Sequence, residues 1–324
     1  MKNADIAMGI IRVTEAATLQ CSKFLGRGNS ETLNKVAVDG ARHAFDLLPM
    51  KGKVVIGECD LEKLPIIYHG EKVGMWEDGQ IETDVAINPV DGAALIAKGI
   101  PNALSTIVVT ERGGILSLPK IYMKKIAVGA GAKGVIDINL SLTDNIKKVS
   151  KALNKEISEL TIMIQDRERH QSLIEEARNA GVRVKMFSEG DIAGALATAF
   201  EYTGVDMLVG IGGSPEGTIA AAALKCLGGE FQCKLAPQNE EEIKMCKRSG
   251  FEDYNNIVFN QNDLIKSDDV YFAATAITNC DILKGIRYKG HKAITKSMVL
   301  RSFNGIVRFV EATHNLDKSM LSLD

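Results

Sequence analysis

None of the six cysteines (Cys21, Cys59, Cys226, Cys233, Cys246, Cys280) stands in a CxxC pair. Scattered thiols of this kind read as free, neither a disulfide frame nor a zinc site. No Lys/Arg-rich stripe or tail occurs, and 39 basic against 41 acidic residues leave a formal net charge of −2. The electrostatic footprint of a nucleic-acid binder is therefore missing. No apolar run reaches membrane length. The opening MKNADIAMGIIRVTEAA lacks the long apolar block and small-residue cleavage site of a signal peptide. The expectation is a cytoplasmic protein that binds neither nucleic acid nor membrane.

At 324 residues the chain can bury a large core and make two domains. Ile6, Ile10, Ile11, Val13 and Ala17 recur at helical spacing, with Glu15 and Lys23 among the polar positions. This predicts a first helix to about Leu25, and a second spans about Glu31 to Leu47. Strands are expected at Lys53–Gly57, through Ile66-Ile67-Tyr68, at Thr83–Ile87, Ala103–Thr110 and Ile121–Val128. Thr143 is a fair N-cap for a helix to Leu153. Beyond it, strands and helices alternate from Leu160 to Leu227, which implies a parallel or mixed sheet with helices on its faces. The last two strands, Ile294–Val299 and Gly305–Ala312, look antiparallel. The change of rhythm puts a domain boundary near residue 155, giving an α+β domain over 1–155 and an α/β domain over 156–324.

Four groups can carry chemistry. Glu58, Asp60, Asp84 and Asp91 are placed at predicted strand ends, where a sheet holds carboxylate oxygens still for a hard divalent cation. The alternative is a set of solvated turn acids. Asn88-Pro89-Val90-Asp91-Gly92 reads as a turn into a helix starting near Asp91, because Pro89 fixes φ and Gly92 is permissive. In GIGGSPEG (Gly210 to Gly217) an apolar strand meets an Ala-rich helix. Ser214 suits the N-cap, Pro215 the first helical position, and free N–H groups there can hold phosphate. Glu216 has a purely structural reading as a carboxylate favoured by the helix dipole. Arg167-Glu168-Arg169-His170 follows a strand and either meets a phosphate or is a solvated helix start. Ser188-Glu189-Gly190-Asp191 either binds sugar hydroxyls or caps a helix. His43, His69, His291 and His314 read as structural.

Taken together, the blocks RVTEAA (Arg12 to Ala17), FLGRG (Phe24 to Gly28), VVIGE (Val54 to Glu58), YHGEKVG (Tyr68 to Gly74), YMKKIAVGAGAKG (Tyr122 to Gly134), RERH, EGDIAGA (Glu189 to Ala195) and GIGGSPEG resemble the bacterial class II fructose-1,6-bisphosphatases. The resemblance covers nearly the whole chain. It implies the layered α/β/α/β/α fold of the lithium-sensitive sugar phosphatases and removal of the 1-phosphate of fructose 1,6-bisphosphate with Mn²⁺ or Mg²⁺. Some members also act on sedoheptulose 1,7-bisphosphate. The expected ligand is a sugar bisphosphate, and the expected assembly a homo-oligomer, dimer or tetramer.

Carried over by position, the resemblance places metal at Asn34, Glu58, Asn88, Asp91 and Glu216. It places substrate at Asp91, Gly92 and Ala93, at Tyr122, at Arg167, Glu168 and Arg169, at Glu189, Gly190 and Asp191, and at Gly213. Glu58, Asp91 and the position of Ala93 would be catalytic. Where the family has Asp-Pro-Ile/Leu-Glu-Gly-Thr, this chain has Asn88-Pro89-Val90-Asp91-Gly92-Ala93, and counting back from Glu58 puts Asn34 on the family's first metal-binding Asp. Two anionic ligands become neutral amides. Ala93 removes a hydroxyl that the family uses to position the attacking water. Two readings follow: a weakened phosphatase, with Asp39, Asp60 or Asp84 supplying missing charge, or a silent paralogue that only binds a sugar phosphate.

Overall fold

The computed structural model describes residues 4–28, 30, 32–57 and 67–317. Helix α1 (Ala4–Cys21) buries the predicted stripe Ile6, Ile10, Ile11, Val13 and Ala17. Glu15 departs from expectation. It is buried and accepts a hydrogen bond from Thr295 Oγ1 (3.0 Å). A carboxylate is tolerated there because hydroxyls solvate it, although burial still pushes its pKa up. Helix α2 (Leu33–Asp46) follows, then strands β1 (Met50–Ile56) and β2 (Lys72–Val73). Of the strand expected at Ile66–Tyr68, Ile66 lies outside the described residues, and Tyr68 forms only an isolated bridge. Strand β3 (Ile81–Asp91), helix α3 (Ala93–Lys98) and strand β4 (Leu104–Glu111) come next.

The chain then builds a second unit: β5 (Tyr122–Val128), α4 (Leu142–Leu153), β6 (Thr161–Gln165), α5 (Gln171–Asn179), β7 (Arg183–Phe187), α6 (Asp191–Ala197), β8 (Met207–Gly213), α7 (Ser214–Leu227), β9 (Glu230–Leu235), α8 (Glu240–Arg248), β10 (Phe259–Asn260) and α9 (Gln261–Leu264). It returns through β11 (Tyr271–Ala276), β12 (Arg287–Lys289), β13 (Lys292–Arg301) and β14 (Ile306–Asn315). The expected antiparallel end is present as the β13–β14 pair. Ser141, not Thr143, caps α4: its Oγ accepts the Asp144 N–H (3.0 Å), whereas the Thr143 N–H and hydroxyl both go to Glu176. Ser141-x-x-Asp144 has the three-residue spacing a cap needs.

One unit comprises residues 1–115 and 267–324, the other 116–266. The expected boundary near residue 155 falls inside the second unit. The reason is long-range pairing that local rhythm cannot show. β5 lies before residue 155 yet pairs with β8 and β9, while β11 lies far beyond it yet pairs with β4.

In the first unit the strand order is β12-β13-β11-β4-β3-β1-β2, with β14 also on β13. β1 and β3 are parallel and the other pairs antiparallel. β4 is buried along all but its last residue, as befits a central strand covered on both faces. The second unit runs β10-β9-β5-β8-β6-β7, with β6 parallel to both neighbours. Both sheets are mixed and helices accompany both, so the chain is α/β, as expected. Among the described residues no helix is long and apolar enough to cross a membrane.

Candidate active site

In the first unit the candidate residues gather around the end of β3. The expected turn at Asn88–Gly92 is strand as far as Asp91. Pairing with β4 steps from Asn88↔Thr106 to Asp91↔Leu104, three residues on β3 against two on β4. That bulge accommodates Pro89, which cannot donate to a ladder. The reversal is confined to Gly92, at φ 92°, and α3 starts at Ala93, two residues later than expected. The corner requires glycine for its φ, which an L side chain rarely adopts.

Asn88 and Asp91 are buried. Asn34 lies in the first turn of α2, which packs on β3, and the side-chain oxygens of Asn34 and Asn88 are both sealed from solvent. Ala93 opens α3 with a methyl group only. Glu58 and Asp60 lie outside the described residues. Asp84 is inside β3 rather than at its end, and its carboxylate takes Arg112 Nη1 (3.2 Å) and the Gly113 N–H (2.8 Å). Asp39 is exposed on α2. Among the described residues, then, the donors placed here are two neutral amides and one carboxylate, a poor match for a divalent cation seeking anionic oxygens.

The second unit is organised by its parallel strands. β7, β6 and β8 lie side by side and end on the same edge. Their exits carry Ser188–Asp191, Arg167–His170 and Gly213–Glu216. The antiparallel register Tyr122↔Gly213 brings the start of β5 to that edge too. Tyr122, Arg167, Glu168, Arg169, Glu189, Gly190, Asp191, Gly213 and Glu216 are thus assembled at the carboxyl ends of parallel strands, where open α/β sheets take their ligands.

Arg169 donates through Nε and Nη2 to the Ile211 carbonyl (3.1 and 2.9 Å) and through Nη2 to Gln165 Oε1 (2.8 Å). Its guanidinium lies 4.8 Å from the Tyr122 ring centroid. The group is exposed but held in one orientation, as an anion receptor needs. Arg167 Nη2 meets Glu189 Oε1 at 3.4 Å. Gly190, at φ 96°, caps α6 and presents Asp191, whose carboxylate pairs with the buried Lys125 ammonium. Gly212 runs so close to this pair that a Cβ there would overlap both groups.

Ser214 departs from its expected cap role. Gly213 is the N-cap of α7 and Ser214 is already helical. The Ser214 hydroxyl donates to the Pro119 carbonyl (2.7 Å) and accepts the Ile121 N–H (3.3 Å), tying this corner to the lead-in of β5. Glu216 stands in the first turn of α7 with its carboxyl pushed up by burial, a rise that the Lys125 ammonium opposes.

Two contributors escape a reading of spacing. Lys125 belongs to a strand and gives no sign in sequence that it is buried against Asp191. His170 is fully buried and bridges the same two residues that hold Arg169. Its Nδ1–H donates to the Gln165 carbonyl and its Nε2 accepts the Ile211 N–H, both at 2.8 Å. This arrangement requires neutral imidazole, and burial lowers its pKa below 6.5. A value lowered on folding gives stability that is complete above pH 6.5 and lost as pH falls below it. Melting temperature should drop on acidification from pH 7 to 5 less steeply in His170→Gln than in the parent. Equal slopes would remove His170 from this role.

The family model described as "Bacterial fructose-1,6-bisphosphatase, glpX-encoded" matches residues 4–314. A D-fructose 1,6-bisphosphatase class 2/sedoheptulose 1,7-bisphosphatase of Synechococcus sp. (strain JA-2-3B'a(2-13)) is 37% identical, with 96% of each chain covered. Its counterpart in Synechococcus sp. (strain JA-3-3Ab) is 36% identical over the same share of each chain. A fructose-1,6-bisphosphatase class 2 of Haemophilus influenzae is 37% identical over 97% of each chain. A match spanning nearly all of the chain, and nearly all of each relative, settles the assignment: this protein belongs to the bacterial class 2 fructose-1,6-bisphosphatase family.

Proposed function

We propose that this chain is a phosphoric monoester hydrolase of the fructose-bisphosphatase type that binds a sugar bisphosphate well and hydrolyses its 1-phosphate slowly. Fructose 1,6-bisphosphate is the first substrate to consider, and sedoheptulose 1,7-bisphosphate the second. The reaction would serve gluconeogenesis in the cytoplasm, in a homo-oligomer. One observation carries the reading. By the resemblance, the cradle positions at the β6, β7 and β8 exits carry the family's residues, whereas the β3 corner has Asn88 and Ala93, and α2 has Asn34, where the family has acids and a hydroxyl.

Binding is assigned to the second unit. Arg169, fixed by Gln165, Ile211 and Tyr122, suits a phosphate; Glu189 and Asp191 suit sugar hydroxyls. Mn²⁺ or Mg²⁺, when bound, would polarise the phosphoryl group and acidify a water. The acidic positions that the resemblance keeps for it in the first unit are Glu58 and Asp91. Asn34 and Asn88 do not fit that cation, because neutral amides supply none of the anionic oxygens it seeks.

Fructose 1,6-bisphosphate in EDTA should raise the melting temperature of this chain, because a ligand that binds only the native state stabilises it. Arg169→Ala should abolish most of that rise. A ligand effect that requires metal, or that survives Arg169→Ala, would count against the proposed cradle. No phosphate release at any Mn²⁺ concentration, with binding retained, would favour the silent paralogue.

A further inference from the structure

Gln165, the last residue of β6, is 9% exposed, and both ends of its side-chain amide are bonded. Oε1 accepts from Arg169 Nη2 (2.8 Å), and Nε2 donates to the Ser188 carbonyl (3.0 Å). The first partner stands in the turn after β6, the second in the turn after β7. The reversed amide would set N–H against N–H and oxygen against carbonyl, so the two partners fix its orientation. The Gln165 carbonyl is held as well, by the Arg167 N–H (3.0 Å) and His170 Nδ1–H (2.8 Å).

The parallel ladder between β6 and β7 stops short of these turns, closing with the bond from the Asp166 N–H to the Phe187 carbonyl (2.7 Å). Beyond it Arg167 and Glu189 pair at 3.4 Å. Their side chains are 39% and 31% exposed, where water and salt weaken a single ion pair. The Gln165 bridge is shielded from both, and a hydrogen bond made in a low-dielectric interior is stronger than one made in water. Gln165 therefore sets the spacing of the two turns.

Arg169 shows what that spacing serves. Its Nε and Nη2 are taken by the Ile211 carbonyl and Gln165, and Nη1 donates to nothing among the described residues. Nη1 is the end left for a phosphate oxygen, and Gln165 helps to aim it. In the other turn the Ser188 carbonyl leads into Glu189 and Asp191, the groups suited to sugar hydroxyls. A ligand carrying both a phosphate and hydroxyls meets two turns whose separation is already fixed, so less freedom is lost on binding. Free phosphate meets one turn and gains less. We propose that Gln165 is a positioning residue that locks the phosphate-contacting and hydroxyl-contacting turns together, and so makes this chain prefer a phosphorylated sugar to free phosphate. This role rests on the cradle proposed for the second unit.

Calorimetric titration of the full chain in EDTA tests this, with fructose 1,6-bisphosphate as ligand and inorganic phosphate as its competitor. Gln165→Leu should weaken fructose 1,6-bisphosphate about tenfold and phosphate no more than about threefold, so that the preference between them falls by about threefold or more. If the leucine variant does not fold, Gln165→Met, unbranched like glutamine, gives the same reading. A purely structural glutamine would shift the denaturant midpoint and leave both affinities of the folded chain unchanged. That result would overturn the proposal, as would equal weakening of the two ligands. Arg169→Ala separates the coupling from the cradle itself. Weaker binding by Arg169→Ala beside unchanged binding by Gln165→Leu would remove the coupling alone. Arg169→Ala binding as tightly as the parent would remove the cradle, and the coupling with it.

Discussion

The Asn34→Asp, Asn88→Asp, Ala93→Thr variant is expected to release phosphate from fructose 1,6-bisphosphate with Mn²⁺ at least about a hundredfold faster than the unmodified chain. The magnitude comes from two sources. Hydrogen-bond partners outside the ligand shell are already worth roughly 10–100-fold in metal affinity, and charges inside that shell are worth no less. A misplaced nucleophile of about 1 Å costs on the order of a hundredfold in rate, and a hydroxyl at position 93 restores a means of placing it. The corner can receive these side chains, because Asn→Asp is isosteric and Ala93 is not fully buried. Phosphate release by a coupled assay decides the matter. A parent chain as fast as the variant would contradict the reading, and a variant that folds but gains nothing would show that the three positions are not what limits it.

Lys125→Met should destabilise the chain by about 3–5 kcal/mol, because it leaves the Asp191 carboxylate buried without its cation. The side chains are 2% and 11% exposed, so water cannot take over the ammonium's role. Removing both charges, as Lys125→Met with Asp191→Leu, should recover most of the loss, since the pair itself is close to neutral against an apolar replacement. The single variant should also lose protection by fructose 1,6-bisphosphate, because Asp191 would seek solvent away from its place at the β7 exit. Denaturant midpoints of the parent, single and double variants measure this. A single variant as stable as the parent would mean that the pair is solvated.

How far these features were legible in sequence depended on the range of the interaction that made them. The stripe of α1, the alternation from β6 to α7 and the antiparallel end were readable because each is a local period. The residues at the exits of β6, β7 and β8 were readable as blocks, since a strand end, a glycine and a charged group occur within a few residues. What could not be read was pairing across the sheet. β11 joins β4 although residues 116–266 come between them in the chain, and nothing near residue 116 announces it. Pro89 suggested a turn because it fixes φ and a permissive Gly92 follows. Only the bulge opposite Thr106 and Leu104 lets β3 continue to Asp91. Glu15 read as a polar position and Lys125 only as part of a strand, because their partners, Thr295 and Asp191, are distant in sequence. His170 was visible as part of RERH, but its two backbone contacts belong to the folded sheet.

If the β3 corner and α2 lack the negative charge to hold divalent metal, Mn²⁺ affinity, read from the free-ion electron paramagnetic resonance signal, will show it. The unmodified chain should leave most Mn²⁺ free under conditions where Asn34→Asp, Asn88→Asp captures it. A Mn²⁺ cluster filled as tightly in the unmodified chain as in that variant would contradict the account.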